Sequence, residues 1–156
     1  GEKIVQSHLE KYLILRVGWL YGEGKDHDKN FVYKRFLEAS SKDKIYSDDS
    51  QIGNPTYVVD FIEQIKVLME DGQTGIFNCV NRAASVSRYD YVGKIMALFE
   101  VQCDLFIAPK GMFDRVAPVS HNESAVNERL DLLNLNVMGE WSEALNRYVQ
   151  KLKSEM

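Results

Sequence analysis

Two arrangements early in the chain have the residue types for chemistry, and each fails on its surroundings. Tyr21 and Lys25 stand four apart, the spacing that sets a phenol acid and an ammonium on one face of a helix. Gly22 and Gly24 lie between them, and two glycines make that helix unfavourable, so the pair is read as coincidence. Gly22-Glu-Gly24 resembles the start of a phosphate-cradling loop. The third glycine is missing, and Lys25-Asp-His-Asp-Lys29 is no apolar helix start, so a turn is expected. No G-x-S-x-G elbow occurs. His8, His27 and His121 are far apart and there is no CxxC, so no metal site is expected. Cys79 and Cys103 are too few for a disulfide framework and read as small buried hydrophobes without a redox role.

The elements that would position a site follow from periodicity. Glu2 to Glu10 carries Ile4, Val5 and Leu9 at helical spacing and leads into Tyr12-Leu-Ile-Leu-Arg-Val17. That continuous apolar run suits a strand covered on both faces, as in parallel α/β sheets. Asn30 is placed to cap a helix through Ala39, with Phe31, Phe36 and Leu37 on one face, and Lys44 to Tyr46 reads as a short strand. Ser47 to Thr56 reads as a loop. Thr56 then caps a helix from Tyr57 to Asp71 in which Val58, Phe61, Ile62, Ile65, Leu68 and Met69 follow the helical period. Gly75 to Val80 and Cys103 to Ile107 read as strands, and Ser87 to Glu100 as a Ser-capped helix. After an irregular stretch to His121, helices are expected near Glu123 to Leu133 and from Trp141 to Leu152, the latter with Leu145, Tyr148, Val149 and Leu152 inward.

A chain of 156 residues with 45% hydrophobic and 27% charged residues has the makings of one globular domain. The net charge of -4 and the scattered lysines provide no field for nucleic acid. No apolar run approaches the roughly 18 residues that span a bilayer, and no signal pattern opens the chain. Neither nucleic acid nor membrane is expected as a partner, and the expected location is the cytoplasm.

The informative feature is an ordered series of loops. Arg16-Val-Gly-Trp-Leu-Tyr-Gly22 is followed by Asn30-Phe-Val32, then by Gln51-Ile-Gly-Asn-Pro-Thr-Tyr57 with Asp60. The series resembles the dTDP-4-dehydrorhamnose reductase family of extended short-chain dehydrogenases, with its R-x-S-W-x-Y-G, N-F-V and Q-x-G-x-P-T-Y segments. Gly75-Ile-Phe-Asn78, Trp141-Ser-Glu-Ala-Leu145 and Gly1-Glu2-Lys3 resemble further family segments, and Ala117-Pro118 with Ser120 to Asn122 a degenerate R-P-x-x-S, so the similarity covers essentially the whole chain.

The resemblance implies an α/β fold: the C-terminal part of an extended Rossmann-type reductase, made of the last parallel strands and a small substrate-binding subdomain. It implies reduction of a 4-keto-6-deoxy nucleotide sugar with NADPH or NADH by the intact protein. The cofactor loop and the YxxxK dyad would precede residue 1, so no catalytic residue is assigned within 1–156 and the piece alone is expected to be inactive. Trp19 would pack on the sugar, while Gln51, Asn54, Thr56 and Arg115 would bind substrate. Val17 and Gly18 would pass the nicotinamide, and Asp60 reads as a structural carboxylate near its helix N-terminus. Two departures stand out: Gly18 replaces a small hydroxyl residue, and Ala117 replaces the arginine of the R-P pair. A non-catalytic binding subunit, like the methionine adenosyltransferase β subunit, and a nucleotide-sugar epimerase or dehydratase are the alternatives. The strand at 12–17 is expected to have a bare edge, and self-association is expected through it or through the strand near Gly75 to Val80.

Overall fold

The computed structural model describes residues 1–113 and 120–156. It is an α/β structure whose strands, among the described residues, pair two by two, three pairings parallel and one antiparallel. Helix α1 (Glu2–His8) leads to β1 (Leu13–Arg16) and β2 (Trp19–Tyr21), and α2 (Phe31–Ser41) follows. Then come β3 (Lys44–Ser47), β4 (Ile52–Gly53), β5 (Pro55–Tyr57) and α3 (Val58–Glu70). Next are β6 (Gly75–Asn78), β7 (Val86–Ser87), α4 (Arg88–Phe99) and β8 (Asp104–Ile107), with α5 (Glu128–Leu132) and α6 (Trp141–Ser154) last.

The long elements fall where periodicity places them. Asn30 caps α2 by accepting from the Tyr33 N–H at 3.0 Å. Ser87 and Asp90 form a reciprocal capping box at the start of α4. Helix α6 buries Leu145, Tyr148, Val149 and Leu152 completely, each apolar side chain contributing about 1.5–3 kcal/mol by leaving water.

Four expectations need correction. The loop expected from 47 to 56 contains β4 and β5, held by partners distant in sequence: β5 pairs with β2, and β4 with β7. The cap of α3 is Tyr57 rather than Thr56, whose hydroxyl instead donates to the Asn54 carbonyl at 3.0 Å. The helix expected from Glu123 shrinks to five residues, because the Glu123 N–H is drawn to the Ile52 carbonyl and the Ala125 N–H to Asn54 Oδ1. Finally, the apolar stripes are wider than the faces they bury: Leu37, Ile62 and Met69 are exposed.

Three apolar clusters hold the elements. The largest is aromatic, with Tyr21, Tyr57, Tyr91 and Tyr148 meeting Val32, Ile95, Leu145 and Val149 between α2, α4 and α6. Ala39, Ile45, Val92 and Met96 form a second cluster under β3. Leu68, Phe77, Cys79 and Leu130 form a third against Leu13 and Leu15 of β1. Cys79 is fully buried there, and burial pushes its thiol up to about 12.

The β1–β6 pair has two unlike edges. Gly75 N–H donates to the Tyr12 carbonyl and Cys79 N–H to that of Arg16, so the alternate groups of β6 face outward. Those outward carbonyls, Thr74 and Ile76, accept from the Arg129 guanidinium at 2.9 and 3.1 Å. The same guanidinium lies 4.0 Å from the Phe77 ring centroid. Arg129 therefore closes the β6 edge, whereas β1 has no second strand partner among the described residues.

Candidate functional site

Trp19 is the point on which the loop ends converge. It opens β2 opposite Pro55, and its N–H donates to the Asn54 carbonyl at 2.8 Å. A Cβ built on Gly53 would lie 2.4 Å from Trp19 Cε2, so the indole is pressed on bare backbone that only glycine leaves clear. The Arg88 guanidinium carbon lies 3.6 Å from the indole centroid, a cation–π contact. The indole N–H donates to Glu123 Oε2 at 2.8 Å. Below it, Tyr91 stacks at 6.5 Å and joins Trp19 to the aromatic cluster.

The loop carrying Gln51, Asn54 and Thr56 is fixed from both sides. Asn54 is buried, donating from Nδ2 to the Asn81 carbonyl at 3.1 Å and accepting the Ala125 N–H at Oδ1. Thr56 is equally buried. The hydrogen bonds of these two side chains thus run within the protein and shape the loop. Gln51 is half-buried, and its carbonyl accepts the Arg88 N–H at 3.0 Å. Ile52 pairs with Ser87 on one side and bridges to Asn122 on the other. The segments bearing Arg88 and Glu123 therefore flank one strand.

Gly18 has a packing reason. A Cβ there would meet the Asn54 carbonyl oxygen at 2.3 Å and Thr56 Oγ1 at 2.9 Å. A serine would force back the carbonyl that holds the Trp19 N–H. Val17, at the carboxyl end of β1, is 40% exposed. Arg16 just before it is gripped by both carboxylate oxygens of Glu2, at 2.8 Å from Nε and 2.6 Å from the terminal nitrogen, which lowers the Glu2 pKa. Arg115 lies outside the described residues.

The two early arrangements have structural explanations. Tyr21 is buried on β2, and Lys25 Nζ reaches the Glu155 carbonyl at 2.6 Å, so no helix face joins them. Gly22 adopts φ of +130° in the turn before α2, whose N-terminus is already taken by Asn30. Asp60 accepts from Asn81 Nδ2 and pairs with Arg147, a structural role. Among the described residues no group of three or more His, Cys, Asp or Glu gathers around one point, and no helix is long and apolar enough to cross a membrane.

Sequence reasoning singled out Trp19 and its loop but not Arg88 and Glu123, which the structure sets against Trp19. Arg88 follows a capping serine and Glu123 sits in an irregular segment. Neither has a spacing signal, and only the strand order around Ile52 brings them together.

The family model described as RmlD substrate binding domain matches residues 1–154. A dTDP-4-dehydrorhamnose reductase of Mycobacterium tuberculosis is 28% identical over 151 residues, covering 93% of this chain and 47% of that protein. A crystal structure of a dTDP-4-dehydrorhamnose reductase from Clostridium acetobutylicum superposes with a TM-score of 0.90 at 27% identity, over 97% of this chain and 52% of that one. The enzyme of the same name from Bacillus anthracis, solved in complex with NADP, gives 0.84 at 26% identity over 96% and 51%. The chain thus spans about half the length of these relatives and has the α/β architecture of one half of extended Rossmann-like reductases. With its motif series and family match in agreement, the chain belongs to the RmlD substrate-binding-domain family.

Proposed function

We propose that this chain is the sugar-nucleotide-binding portion of a reductase acting on a 4-keto-6-deoxy nucleotide sugar, of the dTDP-4-dehydrorhamnose type in dTDP-rhamnose synthesis, with NADPH or NADH as reductant. The observation that carries the reading is the convergence of Gly53, Arg88 and Glu123 on Trp19 at the end of β2. An indole with a guanidinium over its ring and a carboxylate on its N–H gathers apolar, cationic and acceptor groups at one point, a combination that suits a ligand that is part apolar ring, part hydroxyl and part anion. In this reading Trp19 packs on the sugar, Gln51 offers its amide to it, and Asn54 and Thr56 hold the loop in shape. Arg115 is a further candidate for the diphosphate.

The nicotinamide, when bound, supplies the hydride. On this chain its neighbours would be Val17 and Gly18, at the carboxyl end of a parallel strand, where ligands gather in open α/β sheets. The chain has no G-x-G-x-x-G loop to cradle the dinucleotide phosphates, so it should not hold the cofactor unaided.

Calorimetry with dTDP-rhamnose and with NADPH tests this. The sugar nucleotide should bind the chain, NADPH should not, and Trp19→Ala should weaken the sugar nucleotide roughly 5- to 150-fold, as loss of an apolar contact of about 1–3 kcal/mol requires. Absence of sugar-nucleotide binding, or an unaltered Trp19→Ala variant, would refute the reading. The open edge of β1 is proposed as a site of self-association. Sedimentation equilibrium should give concentration-dependent dimers, and a chain that stays monomeric at high concentration would rule this out.

A further inference from the structure

We infer that Asn127 and Arg129 guard the edge of β6 against the β1 strand of a second copy, so that association through β1 closes at two chains. The inference rests on the proposed self-association through β1 and sets its limit. Gly75 and its alternates bond to β1, which turns the backbone groups of Thr74, Ile76 and Asn78 away from it. A row of outward groups of this kind is a template for another extended segment. On β6 that row is already occupied. Arg129 donates from its two terminal nitrogens to the Ile76 and Thr74 carbonyls at 3.1 and 2.9 Å, with its guanidinium carbon 4.0 Å from the Phe77 ring centroid. A Cβ built on Gly75 would come within 2.7 Å of one of those nitrogens, so the glycine leaves the guanidinium room to lie against the strand. Further along, Asn127 accepts the Val80 N–H at 3.0 Å and donates to the Val80 carbonyl at 2.8 Å, the two bonds that a residue of a neighbouring strand would make. Between them, Asn78 Nδ2 donates to the Val126 carbonyl at 3.0 Å. The stretch from Val126 to Arg129 thus fills the line from Thr74 to Val80 where an added strand would run.

Symmetry gives the consequence for assembly. Two copies that meet β1 to β1 use the same edge twice, and the contact closes on itself. A β1 strand that met β6 would join unlike edges, leaving an open edge at each end for the next copy, and growth would not stop. With the outer side of β6 occupied, the first arrangement alone remains. The outermost strands of the joined sheet are then the two β6 strands, each covered by its own Arg129.

Sedimentation velocity over a wide concentration range tests this on the wild-type chain, on Arg129→Met and Arg129→Lys, and on Arg129→Met combined with Ile76→Pro. The wild type should show no mass beyond two chains. Arg129→Met removes both carbonyl contacts, and its mass should pass two chains and keep rising with concentration. Arg129→Lys, a point charge without the fork that spans two carbonyls, should fall between them. Ile76→Pro removes the outward N–H that an added strand would need, so the double variant should return to two chains or fewer. Circular dichroism reports whether each variant is folded, and Arg129→Lys decides by the same criterion if Arg129→Met unfolds. A folded Arg129 variant that never exceeds two chains would overturn the guard. Continued growth of the double variant would overturn it too, since that growth would not use β6. A monomeric wild type beside a growing Arg129→Met would refute the β1-to-β1 pairing while upholding the guard.

Discussion

Asn81→Ala is expected to destabilise the protein by on the order of 4 kcal/mol, a large share of the 5–15 kcal/mol that holds most domains folded. Asn81 is completely buried. Its Oδ1 accepts the Tyr57 N–H at 2.7 Å, and its Nδ2 donates to Asp60 Oδ2 at 2.8 Å and to the Gly139 carbonyl at 3.1 Å. One amide thus joins the end of β5, the first turn of α3 and the approach to α6. Truncation leaves an N–H and a carbonyl without their partner, each such loss costing about 1–3 kcal/mol. Asn81→Asp keeps the acceptor for Tyr57 but sets a second carboxylate against Asp60, so it should also destabilise, and more so at neutral pH than near pH 4. Urea denaturation reads both effects. A loss below about 1 kcal/mol for Asn81→Ala would show that water replaces the amide.

The second large effect is at alkaline pH. Tyr21, Tyr91 and Tyr148 are fully or almost fully buried in one cluster, and the hydroxyls of Tyr21 and Tyr91 have no hydrogen-bond partner among the described residues. Burial raises the pKa of all three, with Tyr148 up to about 12. Tyr148 donates to the Glu23 carbonyl at 2.6 Å and accepts from Asn30 Nδ2 at 2.7 Å. A group whose pKa is higher in the folded state adds stability fully below its unfolded value of about 10 and loses it as pH rises through the folded value. Above pH 10 the unfolded chain has released protons that the folded chain retains, so stability should fall by about 1.4 kcal/mol per pH unit for each such tyrosine. Phenolate absorbance followed alongside circular dichroism should show the phenols of the cluster ionising only as the ellipticity is lost. All eight tyrosines titrating together with the ellipticity intact would contradict the buried cluster.

What the sequence disclosed depended on where the determining forces lie. Helices α2, α4 and α6 were legible because a cap and an apolar stripe are both local. The strands β2, β4, β5 and β7 span two or three residues each, too few for alternation to register, and exist because distant segments complete their hydrogen bonds. The wide apolar stripe of α3 gave the element correctly but not its buried face, since Ile62 and Met69 are exposed while Gln64 is fully buried. Gln64 is turned inward by its bonds to the Leu135 carbonyl and the Val137 N–H, which no helical period encodes. Trp19 was singled out by its motif, whereas Arg88 and Glu123 come to lie against it through strand order alone.

That strand order also sets how the chain must find its fold. Leu13 meets Gly75 and Lys44 meets Asp104, pairings about 60 residues apart, and no described pair of strands is a tight local hairpin. Large loops must close before any ladder gains a hydrogen bond, and that entropy is spent ahead of the return. Helices α2, α4 and α6 can form early as fluctuating segments, but they acquire a common surface only when Tyr21, Tyr57, Tyr91 and Tyr148 arrive from four separate stretches. The passage to the native state is therefore a slow, non-local event in which the aromatic cluster and the parallel ladders assemble together, in milliseconds to seconds rather than the microseconds of a helical bundle.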